Sequence, residues 1–178
     1  MCRVEWKVLI SEVIDLRSFS NLWYWIALAV TWSQASHWVI GIPFDMVLRA
    51  RRFGGEAETE LEQFTRLCVN RVLYIAQTAG LGLTAIGSAI YTTLALLGFY
   101  YAVEICQALF LIIFPLGLVA LLTLRTARRI AQDGDSGESL RKRLSRHRMA
   151  IQGVGVVSIF VTVMWGMIQN INISVLPH

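Results

Sequence analysis

The chain has 178 residues, of which 56% are apolar and only 16% charged, and a formal net charge of +4. Its mean hydropathy is +0.57, a balance that excludes an ordinary soluble domain and describes an integral membrane protein. A chain of this length holds about four membrane-spanning helices with their connections, and leaves no room for a separate soluble catalytic domain.

From the start, Met1 to Ser20 places Val4, Val8, Leu9, Val13, Ile14 and Leu16 on a helical period with charged residues between them. The stretch is too polar to span and lacks a secretory h-region, so it reads as an amphipathic helix lying in the membrane interface over residues 1–20. The first expected span covers about 22–42. Trp23, Tyr24 and Trp25 form an aromatic belt at one end, and Gly41, Pro43 and Asp45 precede Arg49, Arg51 and Arg52 at the other. Within it Thr31, Gln34 and His37, with Ser33 and Ser36 beside them, give one polar stripe on an apolar helix.

A basic loop over 43–71 follows, where Gly54 and Gly55 break one helix and Glu56, Glu58, Glu60 and Glu62 suit the first turns of the next. Leu61, Phe64, Leu67 and Cys68 mark the apolar face expected for that piece. The second span, about 72–97, carries Ala76, Gly80, Thr84, Ser88 and Thr92 at four-residue intervals, a small-residue ladder expected to pack the bundle. A short turn at Gly98 to Tyr101 leads to the third span, about 102–124, in which Pro115 is expected to kink the helix. Glu104 sits just inside that span. An acid there is either functional or close enough to the interface to reach water or a neighbouring hydroxyl.

The second basic loop, 125–148, contains Arg125, Arg128, Arg129, Arg141, Lys142, Arg143, Arg146 and Arg148, with a turn at DGDSGE in which Asp135 and Glu138 resemble a capping box. The fourth span, about 149–171, presents Gly155, Ser158, Thr162 and Gly166 as a second small-residue face. Of the 16 Lys and Arg, three lie before the first span, five in the loop 43–71 and eight in the loop 125–148, with none in the turn after the second span or in the tail. That asymmetry makes the two loops cytoplasmic and turns both termini away from the cytoplasm. Arg141, Lys142, Arg143, Arg146 and Arg148 are then candidates for contact with anionic lipid headgroups or an acidic protein partner. The basic residues flank hydrophobic spans, which argues for topology and against nucleic acid as a partner.

Catalytic signatures are missing from the sequence. Cys2, Cys68 and Cys106 form no CxxC pair, no HExxH occurs, and His37 is the one histidine inside an expected span, with His147 at the cytoplasmic edge and His178 last. The reading is of no catalytic, cofactor or metal site. Gln34, His37 and Glu104 are the candidate intramembrane polar residues.

The stretches SNLWYWIALAVTWSQASHWVIGIPFDMVLRARR, NRVLYIAQ, GFYYAVEICQALFL, LRTARRI and VSIFVTVMWGMIQN resemble a family of small four-span inner-membrane proteins of alphaproteobacteria known as a component of the SufBCD complex. The resemblance implies a membrane partner for iron–sulfur cluster assembly and carries no assigned active residues. The chain lacks the cysteine cluster or ATP-binding loop of a working part of such machinery. The expectation is therefore an all-α, single-domain membrane four-helix bundle with an amino-terminal interfacial helix. It serves as a non-catalytic accessory or scaffolding subunit with a protein partner or a second copy; the alternative is a small secondary transporter or channel-like protein.

Overall fold

A computed structural model describes residues 22–175, with side chains as far as residue 171; the interfacial helix expected over 1–20 lies outside the described residues. Five helices follow in chain order: α1 (Leu22–His37), α2 (Phe44–Phe53), α3 (Gly55–Ala95), α4 (Glu104–Asp133) and α5 (Gly137–Val175). Strands β1 (Trp38–Val39) and β2 (Ile42–Pro43) pair antiparallel between α1 and α2, and a π-helical turn, Leu96–Tyr100, extends α3. Three of the helices, α3, α4 and α5, are long and apolar enough to cross a membrane.

The helix expected over 22–42 stops early, at His37. Its 16 residues rise about 24 Å, short of a hydrocarbon core of about 30 Å. Beyond it Trp38 pairs with Pro43 and Val39 with Ile42, while Ile40 and Gly41 take φ of 57° and 81°. Two successive positive φ values are what a two-residue hairpin needs. Gly41 adopts its value freely, whereas a β-branched residue does so only under compulsion. Here that compulsion is burial, with Ile40, Val39 and Ile42 inside the core.

The basic stretches 43–71 and 125–148 are largely helical. Gly54, at φ 58°, separates α2 from α3, and α3 then runs unbroken from Gly55 through the apolar stretch. Likewise α4 continues past the expected end of its span to Asp133, is closed by Gly134 in the left-handed conformation, and is followed after three residues by α5. These extensions, with α2 and the hairpin, form a helical layer at the basic end. The buried hydrophobic cluster lies in that layer: Val39, Ile42, Val47, Leu61, Ala127 and Leu144 are among its members. The apolar windows of α3, α4 and α5 are by contrast 0%, 11% and 28% buried.

Acidic residues of α3 fasten the layer. Glu62 accepts the backbone N–H of Gly137 at 2.7 Å, satisfying a donor at the start of α5. Glu58 pairs with Arg141 at 2.9 Å, and Glu60 with Arg49 of α2. The capping box expected from Asp135 and Glu138 does not form: Asp135 pairs with Arg143 and Glu138 with Lys142. On α3 the buried row is Leu61, Thr65 and Val69 with Cys68 beside it, while Phe64 and Leu67, expected on that face, are exposed.

Inside the apolar region the expected packing holds for one helix and fails for another. On α5 Gly155, Ser158, Thr162 and Gly166 are all buried, and a Cβ on Gly155 would lie 2.8 Å from the Trp32 ring of α1. On α3, Ala76 and Gly80 are half-buried but Thr84, Ser88 and Thr92 are exposed. Each four-residue step turns a helix by about 40°, so a strict ladder of this kind winds off one face onto another. Pro115 removes the amide that would bond Leu111, and Ser158 of α5 donates to that freed carbonyl at 3.5 Å.

Substituting Gly155→Val should separate α1 from α5 and cost roughly 1–3 kcal/mol through overpacking. Gly153→Ala, which meets nothing within 4 Å, should leave stability unchanged or slightly raised. Thermal unfolding of the two variants in detergent, followed by circular dichroism, checks this; equal melting temperatures would contradict the packing described.

Candidate functional site

Polar side chains gather at three stations along the bundle. The first is at the end of the helices remote from the basic layer, where the π-helical turn meets the start of α4. Gln107 is 4% exposed. Its amide donates to the Gly98 carbonyl at 2.7 Å, and its Oε1 accepts from Trp165 Nε1 at 3.0 Å and Gln169 Nε2 at 2.8 Å. One side chain thereby ties the α3–α4 turn to α5. The approach is close enough that a Cβ on Gly98 would meet the Gln107 nitrogen at 3.0 Å. Glu104 is at this station too, as the first residue of α4 and half-buried. Aromatic rings complete the station, with Phe99 edge-on to both Phe110 and Trp165.

The second station lies between α4 and α5 where the apolar run gives way to arginine. His147 is buried, with its Nε2 3.3 Å from Thr123 Oγ1 and its Nδ1 3.1 Å from Thr126 Oγ1. Both ring nitrogens are thus engaged by α4. Arg129, Arg143 and Arg146 line the same polar pocket of about 300 Å³. Arg143 is already held by Asp133 at 2.7 Å and by Asp135.

The third station is a cleft of about 520 Å³ between α1 and α5, lined by Ser33, Gln34, Ser36, His37 and Arg148. Spacings of three and four residues bring the four α1 side chains to one face. Gln34 and His37 therefore do share a site, but its other member is Arg148. Glu104 is remote: 22 residues of α4 separate it from Thr126 at the level of His147, or about 33 Å of helix. His37 and His147 line different pockets, one towards α1 and one towards α4.

The five basic residues singled out from 141–148 also divide. Arg141 reaches Glu58 and the Ala50 carbonyl, Arg143 reaches Asp133 and Asp135, and Lys142 pairs on its own helix with Glu138. Arg146 and Arg148 have no carboxylate partner among the described residues. Two residues apart on a helix, they point to nearly opposite sides, about 200° around. Among the described residues no three His, Cys, Asp or Glu side chains converge on a metal-sized space. No family model, no curated protein and no solved structure matches the chain.

Gln107 is the residue that sequence reading passed over, since a lone glutamine near a span end carries no spacing signal. Replacing it by Leu leaves Trp165 Nε1, Gln169 Nε2 and the Gly98 carbonyl without their partner. A loss of roughly 1–3 kcal/mol is expected for buried groups stranded in this way. The measurement is thermal unfolding of Gln107→Leu with tryptophan emission as a second probe; a variant as stable as the parent with unshifted emission would contradict the hub.

Proposed function

We propose that this protein is a non-catalytic membrane subunit that presents α3 to a partner helix in the bilayer and its basic layer to the cytoplasmic side. The observation that carries the reading is the state of α3. No residue of its apolar window is fully buried within the chain, and the exposed side includes Thr84, Ser88 and Thr92, whose hydroxyls bond back to carbonyls of their own helix at 2.8–2.9 Å. With those hydroxyls satisfied, and with no neighbouring element within 4 Å of a Cβ placed on Gly80 or Gly87, this side of α3 offers close backbone approach without a polar penalty. Small residues with satisfied hydroxyls are what lipid-embedded helix pairs use to approach closely.

The partner is a second copy of this chain or another membrane protein. Anionic headgroups meet the unpaired arginines of the basic layer, each contributing on the order of 1 kcal/mol close to the surface. The arginine asymmetry sets the orientation, while placement in a bacterial inner membrane with both termini periplasmic, and service to iron–sulfur cluster assembly, follow the family resemblance alone. The transporter alternative needs Gln34, His37 and Glu104 along one pathway, and their separation by the length of α4 counts against it.

Native-gel electrophoresis of the protein extracted from its membrane in mild detergent tests the subunit reading. A particle larger than one chain is expected, and Gly80→Leu with Ser88→Leu should reduce it to the single chain without loss of helix content. A particle whose size does not change in the double variant would sink the proposal.

A further inference from the structure

We infer that the cleft between α1 and α5 is a binding site for a phosphate oxyanion, held by Arg148 with Ser33, Gln34, Ser36 and His37.

Arg148 is the key. Its guanidinium lies 3.9 Å from the centre of the Phe44 ring, which fixes its plane. Its Nε is buried and has no hydrogen-bond partner. No carboxylate among the described residues reaches it, although Arg49, Arg141, Lys142 and Arg143 all have one. Arg148 as a whole is half-buried, and a guanidinium nitrogen shielded from water is ordinarily paired, so the missing counter-ion is to be sought outside the described residues.

The rest of the lining agrees. No acid lines the cleft, and each of its five side chains can donate a hydrogen bond. Ser33 and Ser36 make no bond to their own helix, whereas Thr31, one turn away, turns back to the Ala27 carbonyl at 2.7 Å. Their hydroxyls are left for a guest. Donors in this number exceed what a single carboxylate takes up and suit the several oxygens of a phosphate, to which arginine presents a planar fork. The location suits either of two sources. Arg148 immediately precedes Met149, where the apolar run of α5 begins, so a phospholipid headgroup in the leaflet and a free phosphate from the aqueous side both reach it.

The full chain, washed free of lipid in detergent, is titrated with inorganic phosphate by calorimetry. In parallel it is offered phosphatidylglycerol against phosphatidylcholine and examined by native mass spectrometry. Binding of phosphate, selective retention of phosphatidylglycerol, or both is expected, and which of them occurs assigns the source. Arg148→Gln should weaken the interaction at least tenfold, and Ser33→Ala with Ser36→Ala several-fold with Arg148 in place. Arg146→Gln, outside the cleft, should bind as the parent does. If Arg148→Gln is not monodisperse on size exclusion, the double serine variant and Arg148→Lys decide. A parent protein that binds neither probe overturns the site, as does undiminished binding by the cleft variants that remain folded.

Discussion

In hydrocarbon an apolar helix gains little by leaving lipid for another apolar helix, so the force that folds soluble proteins acts here only where water reaches. The distribution of burial follows that constraint. The densest core gathers Val39, Ile42, Val47, Leu61, Ala127 and Leu144 at the basic end, outside the apolar windows. The carboxylate of Glu62 on the Gly137 amide and the pair of Glu58 with Arg141 lock two of the long helices at the same level. Helices α3, α4 and α5 are therefore aligned from the water side. Their apolar lengths extend from that base with far less mutual burial.

What contact the spans do make is polar and steric. Trp32 lies against Gly155, Ser158 answers the carbonyl that Pro115 frees, and Gln107 gathers Trp165, Gln169 and Gly98 at the far end. Each interaction lets backbones approach or satisfies a group that lipid cannot solvate. They sit along α5 or reach it from a neighbour, which makes α5 the spine between α1 and α4. Within the apolar region α3 packs on α4 through Tyr91, whose hydroxyl donates to the Ile113 carbonyl at 3.1 Å, and it reaches α5 chiefly through its basic-end turns.

Composition and periodicity made the helical, membrane character legible, and Gly54 with Gly55 and the small face of α5 were readable as breaker and seam. Three features were not. In WVIGIP the glycine and proline mark an end to the run, but Val39, Ile40 and Ile42 are as apolar as a continuing span, so a hairpin that begins ahead of that mark, at Trp38, is revealed only by the pairing and the torsions of Ile40 and Gly41. The ladder from Ala76 to Thr92 looked like one face because its spacing is regular, yet four-residue steps precess around the helix. The partners of Glu58 and Glu62 lie more than 70 residues away, and no local pattern announces such a pairing. For the candidate site, the stripe of Gln34 and His37 was legible, but Arg148 was hidden among arginines with the same local appearance.

That last ambiguity resolves once each basic side chain is asked what neutralises it. Arg141 and Arg143 are consumed in fastening α5 to α3 and to the α4 end, and Lys142 stays on its own helix. Their charge is part of the fold. Arg146 faces α4 from the rim of a pocket, where water reaches its head. Arg148 alone among them joins a nitrogen shielded from water to the lack of an anion among the described residues, beside serines whose hydroxyls are equally unspent. A basic segment that looks uniform in sequence is thus divided by its helix into structural charges on one side and a charge held ready for a ligand on the other.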